Sequence, residues 1–286
     1  MAGRVHLDQA SPLGLLASRG VRSEAPIAPP DRATGKQYDA ALDIAVGDRQ
    51  TWHRKPILRE VYRDFYARIA DQLADISGPT IELGSGPGTL KYAMPNVITS
   101  DVITAPWLDL VTDAASLPLA DTSVANIITI DLLHHLAYQR QFFSQVVRVL
   151  KPGGRLVILD VFLSPLSWPV FRFLHPEPAS LSIRPLDQPQ DEPLINDHDP
   201  WSSDQGVARA IFWKQTARFI KLFPELSITH RECFSLFLWP ICGGFKQKNW
   251  LPRFAKPLLW KMERAFERFG RYAGYRCLVT LEKRKW

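Results

Sequence analysis

An apolar segment runs straight into three alternate glycines at Ile81-Glu82-Leu83-Gly84-Ser85-Gly86-Pro87-Gly88. Glycine is needed where a ligand lies against bare backbone and where positive φ is required, so this loop is the strongest local signal for binding. Its spacing narrows the ligand. A dinucleotide loop would read GxGxxG, whereas here Thr89 occupies the third-glycine position and Gly88 comes one residue early. That argues against NAD or FAD, and no Lys-Ser/Thr follows to make a phosphate-binding loop. A second apolar segment ends at Asp101, seventeen residues after Gly84, with Val102 beside it. A carboxylate there can accept hydrogen bonds from both hydroxyls of a ribose; the plainer alternative is that Ser100-Asp101 caps a turn. Asp113-Ala114, followed by Ser116-Leu117-Pro118, is similarly placed to accept from an adenine amino group, or is an ordinary loop aspartate.

These residues need a scaffold, and the pattern from Thr80 onward supplies one. Short apolar runs alternate with helical stretches, which signals βαβ units and an open parallel sheet with helices on both faces. Strands are expected at Thr80 to Leu83, Asn96 to Ser100, Leu108 to Val111, Val124 to Ile130 and Arg155 to Val161, with late strands at Leu226 to Thr229 and Arg276 to Leu281. Ile57 to Ile76, Tyr138 to Leu150, Val207 to Phe223 and Phe254 to Arg271 read as helices, with Pro56 suited to a first turn and Lys151-Pro152-Gly153-Gly154 to a stop. Ligands of such a sheet bind beyond the carboxyl ends of its strands.

The chain has 286 residues and 46% apolar content, enough for one catalytic domain with appended segments. Residues 1–36 carry scattered Pro, Ser, Ala and Arg and read as a flexible arm; residues 37–286 form the domain, with a cofactor core at 78–162 and a lid and carboxyl-terminal elements at 163–286. The lid expectation comes from the proline-rich stretch Phe162 to Ser203, too long and irregular for a plain connection. Cys233, Cys242 and Cys277 form no metal or disulfide pattern, so no metal is expected and a reducing, cytoplasmic setting fits. No basic-then-apolar leader is read, and the longest apolar run, Cys233 to Phe245, is broken by Pro240 and two glycines, so no membrane span is expected. Residues 241–286 hold twelve Lys or Arg against three Glu, for +9 of a net +6. Such a tail suits an anionic surface, or is simply a solvated basic face.

Glu82-Leu83-Gly84-Ser85-Gly86-Pro87-Gly88, Asp101, Asp113-Ala114-Ala115-Ser116-Leu117-Pro118-Leu119, Leu133-His134-His135-Leu136 and Arg148-Val149-Leu150-Lys151-Pro152-Gly153-Gly154-Arg155-Leu156 together resemble the class I S-adenosylmethionine-dependent methyltransferases of the type 11 group. The likeness runs in unbroken order over roughly residues 78 to 162. It implies a Rossmann-like seven-stranded sheet whose last strand, Arg276 to Leu281, is antiparallel, and S-adenosyl-L-methionine as cofactor. It also implies that Gly84, Ser85 and Gly86 line the methionyl part, Asp101 the ribose, and Asp113 with Ala114 the adenine edge; Glu82, Val102 and Asp131 complete the expected cofactor set. Two departures stand out. Only Thr89 to Pro95 separate the glycine loop from the second strand, so the first crossover helix must shrink to a turn, leaving the amino-acid end of the cofactor open or covered by another element. Ala125-Asn126 replaces an aromatic-Asp pair, with only a packing consequence expected.

Methyl transfer from a sulfonium is an in-line displacement, and a base is needed only when the acceptor must lose a proton. His134, His135, His175 and Glu177 are the base candidates, with His135 first because the resemblance implies that the second histidine lies near the cofactor. The plainer reading of His135 is a packed histidine donating to backbone, and that of His175-Pro176-Glu177-Pro178 a rigid loop. Asp131 either turns its backbone toward the cofactor or caps the next helix. Trp168, Phe171, Phe173 and Trp201 form an acceptor surface or a small core of the lid. In the last helix Phe254, Leu258, Leu259, Met262, Phe266 and Phe269 share one side, with Lys256, Lys261, Arg264 and Arg268 around the other, which suits a membrane surface or packing on its own domain. The leading expectation is O-methylation of a small-molecule, glycan or lipid-linked acceptor, with peripheral contact with an anionic membrane and no nucleic acid. The alternatives are an RNA methyltransferase, for which no RNA-binding module is seen, and a non-catalytic cofactor-binding partner subunit.

Overall fold

The computed structural model describes residues 35–199, 201–246, 248–249 and 253–285. Most of the arm expected at 1–36 therefore lies outside the described residues. Two helices come first, α1 (Gly35–Arg54) and α2 (Pro56–Ala70). In α2, Pro56 opens the helix and Ile57, Leu58, Val61, Tyr62, Phe65, Tyr66 and Ile69 fall on one buried stripe. The helix stops six residues before the expected Ile76, and α1 was not foreseen at all, because its polar and alanine-rich sequence carries little periodicity.

The sheet follows: β1 (Thr80–Leu83), β2 (Ile98–Asp101), β3 (Leu110–Val111), β4 (Val124–Ile130), β5 (Leu150–Val161), β6 (Leu226–Phe234) and β7 (Arg276–Lys283). Their spatial order is β3-β2-β1-β4-β5-β7-β6, with β7 antiparallel to both neighbours and the pairs among β1 to β5 parallel. This is the Rossmann-like sheet expected, antiparallel last strand included. Alternation sorts the core into two layers. Ile127, Leu156, Ile158 and Leu281 face α3 (Gln139–Val149) through Phe142, Phe143 and Val146, while Ile128, Val157, Leu159 and Leu278 face α2. β5 begins earlier than expected: the chain is already extended at Leu150, and the register jumps between Val124 and Asn126, so the Pro-Gly-Gly stretch is taken up as an irregularity within the strand. Asn126 ties Ala74 and Thr80 at the far end of β4, the packing role expected of it.

The proline-rich stretch contains a helix, α4 (Ser167–Leu174). The expected helix at 207–223 is divided into α5 (Val207–Arg209), a π-helical turn at Ala210–Lys214, and α6 (Thr216–Leu222). Then come α7 (Leu238–Cys242), α8 (Lys256–Phe266) and α9 (Gly270–Ala273). The amphipathic reading of the last helix needs correction. Its face on the domain is set by Leu259, Trp260 and Glu263, and the buried Glu263 carboxylate accepts from the backbone amides of Leu236, Phe237 and Leu238. Lys256 and Arg264 pair with Glu60 and Asp64 of α2. Phe254 and Leu258, assigned to the apolar side, are 87% and 61% exposed. Among the described residues no helix is long and apolar enough to cross a membrane.

Candidate active site

β1 delivers the chain to a loop in which Gly84 and Gly86 have φ of +70° and +46°. A Cβ on Gly84 would lie 2.6 Å from Leu132, so that position admits only glycine without rearrangement, whereas a Cβ on Gly86 would meet nothing within 4 Å. The open face of Gly86 is where a ligand can lie against the main chain. The first crossover helix is reduced to one turn, Thr89–Tyr92, as the short spacing required. Its bracing comes from the amino-terminal helices and from Trp107 between β2 and β3: Arg49 donates to the Pro87 carbonyl at 2.7 Å and stacks over Trp107, Trp107 Nε1 donates to the Gly86 carbonyl at 2.9 Å, and Tyr66 hydrogen-bonds Thr89 at 2.6 Å. Ala41, Ala45, Asp48, Tyr62 and Tyr66 also line the cavity beside the loop, so the end left open by the missing helix is covered by α1 and α2.

The cavity, about 720 Å³, lies at the carboxyl ends of the parallel strands. The cofactor residues and base candidates read from the sequence all line it: Glu82, Gly84, Ser85, Gly86, Asp101, Val102, Asp113, Ala114, Asp131, His134, His135, His175 and Glu177. Asp101 accepts from the Gly86 amide through Oδ2 at 2.7 Å and from the Val102 and Ile103 amides through Oδ1 at 2.7 and 3.4 Å, so Oδ2 keeps a lone pair for a further donor. Burial raises its pKa against those amide bonds. Asp113 Oδ1 accepts from the Ala115 amide at 2.8 Å, which shapes the turn that exposes Ala114 to the cavity. Glu82 Oε2 is buried with no partner, and burial pushes the Glu82 pKa up to about 8. An orphaned carboxylate oxygen beside an open glycine face fits a ligand that brings its own donors. The residues present therefore fit S-adenosylmethionine.

At the ends of β4 and β5 the reading of the sequence shifts. Asp131 has φ +53° and its amide donates to the Leu159 carbonyl. Its carboxylate forms an ion pair with the buried Arg276 of β7, so it does not cap the next helix. His134 is the histidine with a buried acidic partner: Asp160 Oδ1 lies 2.7 Å from His134 Nδ1, while also accepting from the Val161 amide. Burial disfavours a charged His134 ring, but Asp160, Asp131 and Glu177 outweigh it and hold its pKa above the ordinary value. His135, the first choice as base, has its pKa lowered to about 4 by burial and by His134, and its Nδ1 faces the Ser202 carbonyl at 3.1 Å. That contact is the backbone bond of the plainer reading, and the ring also lines the cavity. Glu177 Oε2 stands 3.9 Å from His134 Nε2 and accepts from Ser203 Oγ and Gln205 Nε2. His175 Nδ1 accepts from the Glu177 amide at 3.3 Å, which orients the loop.

The four lid aromatics divide. Phe171 and Trp201 line the cavity, Trp201 edge-on to His135 with ring centroids 5.4 Å apart. Trp168 packs against the small core of Leu163, Phe171 and Ala179, and Phe173 is exposed. Asp160, Arg276, Asp48, Tyr62, Trp239 and Lys246 were missed. Only Asp160 carried a legible signal, as an acid ending a β-run; the others reach the cavity from distant segments.

Residues 81–158 match the family model described as Methyltransferase domain. Demethylmenaquinone methyltransferase of Streptomyces avermitilis is 28% identical over 165 residues, which take in 53% of this chain and 66% of that protein, just under two thirds of its length. Among solved structures, a SAM-dependent methyltransferase from Archaeoglobus fulgidus overlaps with a TM-score of 0.46 at 14% identity, covering 79% of this chain and 94% of that one. Geranyl diphosphate C-methyltransferase from Streptomyces coelicolor A3(2), in a complex holding S-adenosyl-L-homocysteine, overlaps with a TM-score of 0.45 at 12% identity, covering 78% and 77%. These matches support a class I S-adenosylmethionine-dependent methyltransferase domain over residues 81–158.

Proposed function

We propose, from a core that is a class I methyltransferase, that the chain moves the methyl group of S-adenosylmethionine to a hydroxyl of a small-molecule, glycan or lipid-linked acceptor. The observation that carries this is the division of one cavity wall. Glu82, Gly86, Asp101 and Asp113 stand at the ends of β1 to β3, and His134, His135 and Glu177 stand past β4 and β5. Cofactor and acceptor then meet over Asp131. In the reaction the acceptor oxygen bonds to the methyl carbon, the carbon–sulfur bond breaks, and the thioether leaves; the wall's task is to hold the oxygen about 3 Å from the carbon and exclude water. A hydroxyl must also give up its proton, and the imidazole and carboxylate cluster, backed by Asp160, is the polar patch at which it can do so. That favours oxygen as the methylated atom.

The rest of that end is apolar, with Val170, Phe171, Leu174, Trp239 and Tyr275, and suits a hydrophobic acceptor body. Two neighbouring observations support a lipid-carried one. Leu174 lines the cavity yet is 77% exposed, with Phe173 74% exposed beside it, and the Leu166 amide donates to the Tyr272 carbonyl, which sets another exposed apolar pair at the start of α4. Arg172, Arg268 and Arg271 are exposed on the same helices, α4 and α9, and the turn before α9. Calorimetry with S-adenosylmethionine, followed by transfer of a labelled methyl to lipid, glycan and RNA fractions, tests the proposal. Saturable binding is expected, weakened roughly 10- to 100-fold in Asp101→Ala, as loss of hydrogen bonds to a charged acceptor costs about 1.5–3 kcal/mol. Label in RNA alone overturns the acceptor class, and binding without transfer to any fraction overturns the enzymatic reading.

A further inference from the structure

We propose that His134, His135 and Glu177 together form a binding site for a divalent first-row metal cation at the acceptor end of the cavity. One ring nitrogen of each histidine and one Glu177 oxygen lie within 4.8 Å of one another. Two imidazoles and one carboxylate gathered on one side of a cavity leave the opposite coordination positions open, the arrangement of a facial triad whose remaining places are taken by water or substrate.

What separates this cluster from a chance meeting of polar side chains is the layer behind it. A histidine that binds metal through one nitrogen is held through the other by a carboxylate or a backbone carbonyl, and a binding carboxylate is itself hydrogen-bonded. All three supports are present. Asp160 holds His134 Nδ1 at 2.7 Å, leaving Nε2 toward Glu177; the Ser202 carbonyl holds His135 Nδ1 at 3.1 Å, leaving Nε2 as the lone-pair nitrogen; and Ser203 with Gln205 donates to Glu177 Oε2. Asp160 is in turn fixed by the Leu133 and Val161 amides. The 3.9 Å between His134 Nε2 and Glu177 Oε2 is too long for a direct hydrogen bond. Adjacent ligands on metal bonds of about 2.0–2.2 Å stand roughly 3 Å apart, so a cation entering between the two would draw them together by about 1 Å. Gln205 Oε1, buried on the cavity wall with no partner, is an acceptor ready for a water on the cation. Lys246 Nζ stands 3.7 Å from Glu177 Oε1, and its half-exposed side chain can withdraw to solvent when the cation enters. The purpose of the site rests on the acceptor reading above: a hydroxyl on the cation would lose its proton more readily than a free one.

The test uses the full chain, stripped with chelator and titrated with Co²⁺ and, separately, Zn²⁺. One equivalent per chain is expected, with visible Co²⁺ absorption bands from nitrogen and oxygen ligands. His135→Ala and Glu177→Gln are each expected to weaken binding by at least about tenfold, and Asp160→Asn, acting through His134, by about 10- to 100-fold. Affinity for S-adenosylhomocysteine, measured on the same samples, should stay unchanged, because Glu82, Gly86, Asp101 and Asp113 stand at the ends of β1 to β3 and none of them touches the varied side chains. That second titration also reports folding, so if Asp160→Asn does not fold, His135→Ala still decides. A chain that binds the nucleoside thioether but no cation overturns the inference and leaves the methyl-transfer reading intact. Equal cation binding by the variants overturns it too, as adventitious binding elsewhere. Failure to bind the thioether at all would count against the proposed function instead.

Discussion

Replacing Glu82 by glutamine will make the ligand-free protein more stable and weaken its hold on the cofactor. Glu82 is buried at the end of β1 with Oε2 unpartnered, and burial, helped by Asp101 nearby, raises its pKa from 4.5 to about 8. An acid whose pKa is higher in the folded than in the unfolded state binds its proton more tightly when folded. It therefore costs no stability below pH 4.5, an increasing amount between 4.5 and 8, and a constant amount above 8. At 1.36 kcal/mol per pH unit, the cost is about 3 kcal/mol at pH 7 and about 5 kcal/mol above pH 8. Glutamine carries no charge and escapes the penalty. Denaturant unfolding of wild type and Glu82→Gln, each from pH 5 to pH 9 without ligand, gives the difference free of other titrating groups. The gain should be small at pH 5, grow to pH 8 and level off. Calorimetry should show the opposite for S-adenosylmethionine, with the variant about 1.5–3 kcal/mol weaker. A stability difference that is flat across that range, or a variant less stable at pH 9, refutes the argument that the loop holds an uncompensated carboxylate for its ligand.

The brace from α1 gives a milder test: Arg49→Ala removes the bond to the Pro87 carbonyl and the stack on Trp107, and should weaken cofactor binding by about 0.5–1.5 kcal/mol with turnover at saturation unchanged. Unaltered affinity by calorimetry would mean the loop needs no cover. Glu263→Ala strands the amides of Leu236, Phe237 and Leu238 in a buried setting and should cost about 2–4 kcal/mol in urea unfolding, with Glu263→Gln recovering part of it. A loss below 1 kcal/mol, on the order of one ordinary hydrogen bond, would show that water reaches those amides. If Phe254 and Leu258 are exposed for a membrane, the chain will float with anionic vesicles at low salt and Phe254→Ser with Leu258→Ser will lower recovery. No recovery of wild type rejects surface docking.

Much of the cofactor half was legible because it is local. The loop from Glu82 to Gly88 must turn sharply while leaving main chain bare, and that demand is written in consecutive residues. Asp101 ends one short strand of a parallel sheet and Asp113 lies two residues past the next, so their side-by-side placement follows from strand order. The missing crossover helix was equally plain from a count of residues. The acceptor half was harder. His134 and His135 are adjacent in sequence and chemically alike, and nothing local says which has the acid behind it. Asp160 decides, and it arrives by pairing of β4 with β5.

The sequence by itself determined the sheet, the glycine loop and the carboxylates placed at the strand ends, since these depend on periodicity and on backbone conformations only certain residues adopt. Tertiary structure alone decided what covers the site and what tunes it. α1 and α2 lie over the loop because a buried stripe on α2 must find the sheet face that the absent helix leaves bare. Arg276, more than a hundred residues from Asp131, becomes its ion-pair partner because β7 is inserted antiparallel beside β5. The charge state of a buried group depends on every element packed around it, and that is a property of the assembled chain, which no stretch of residues carries alone.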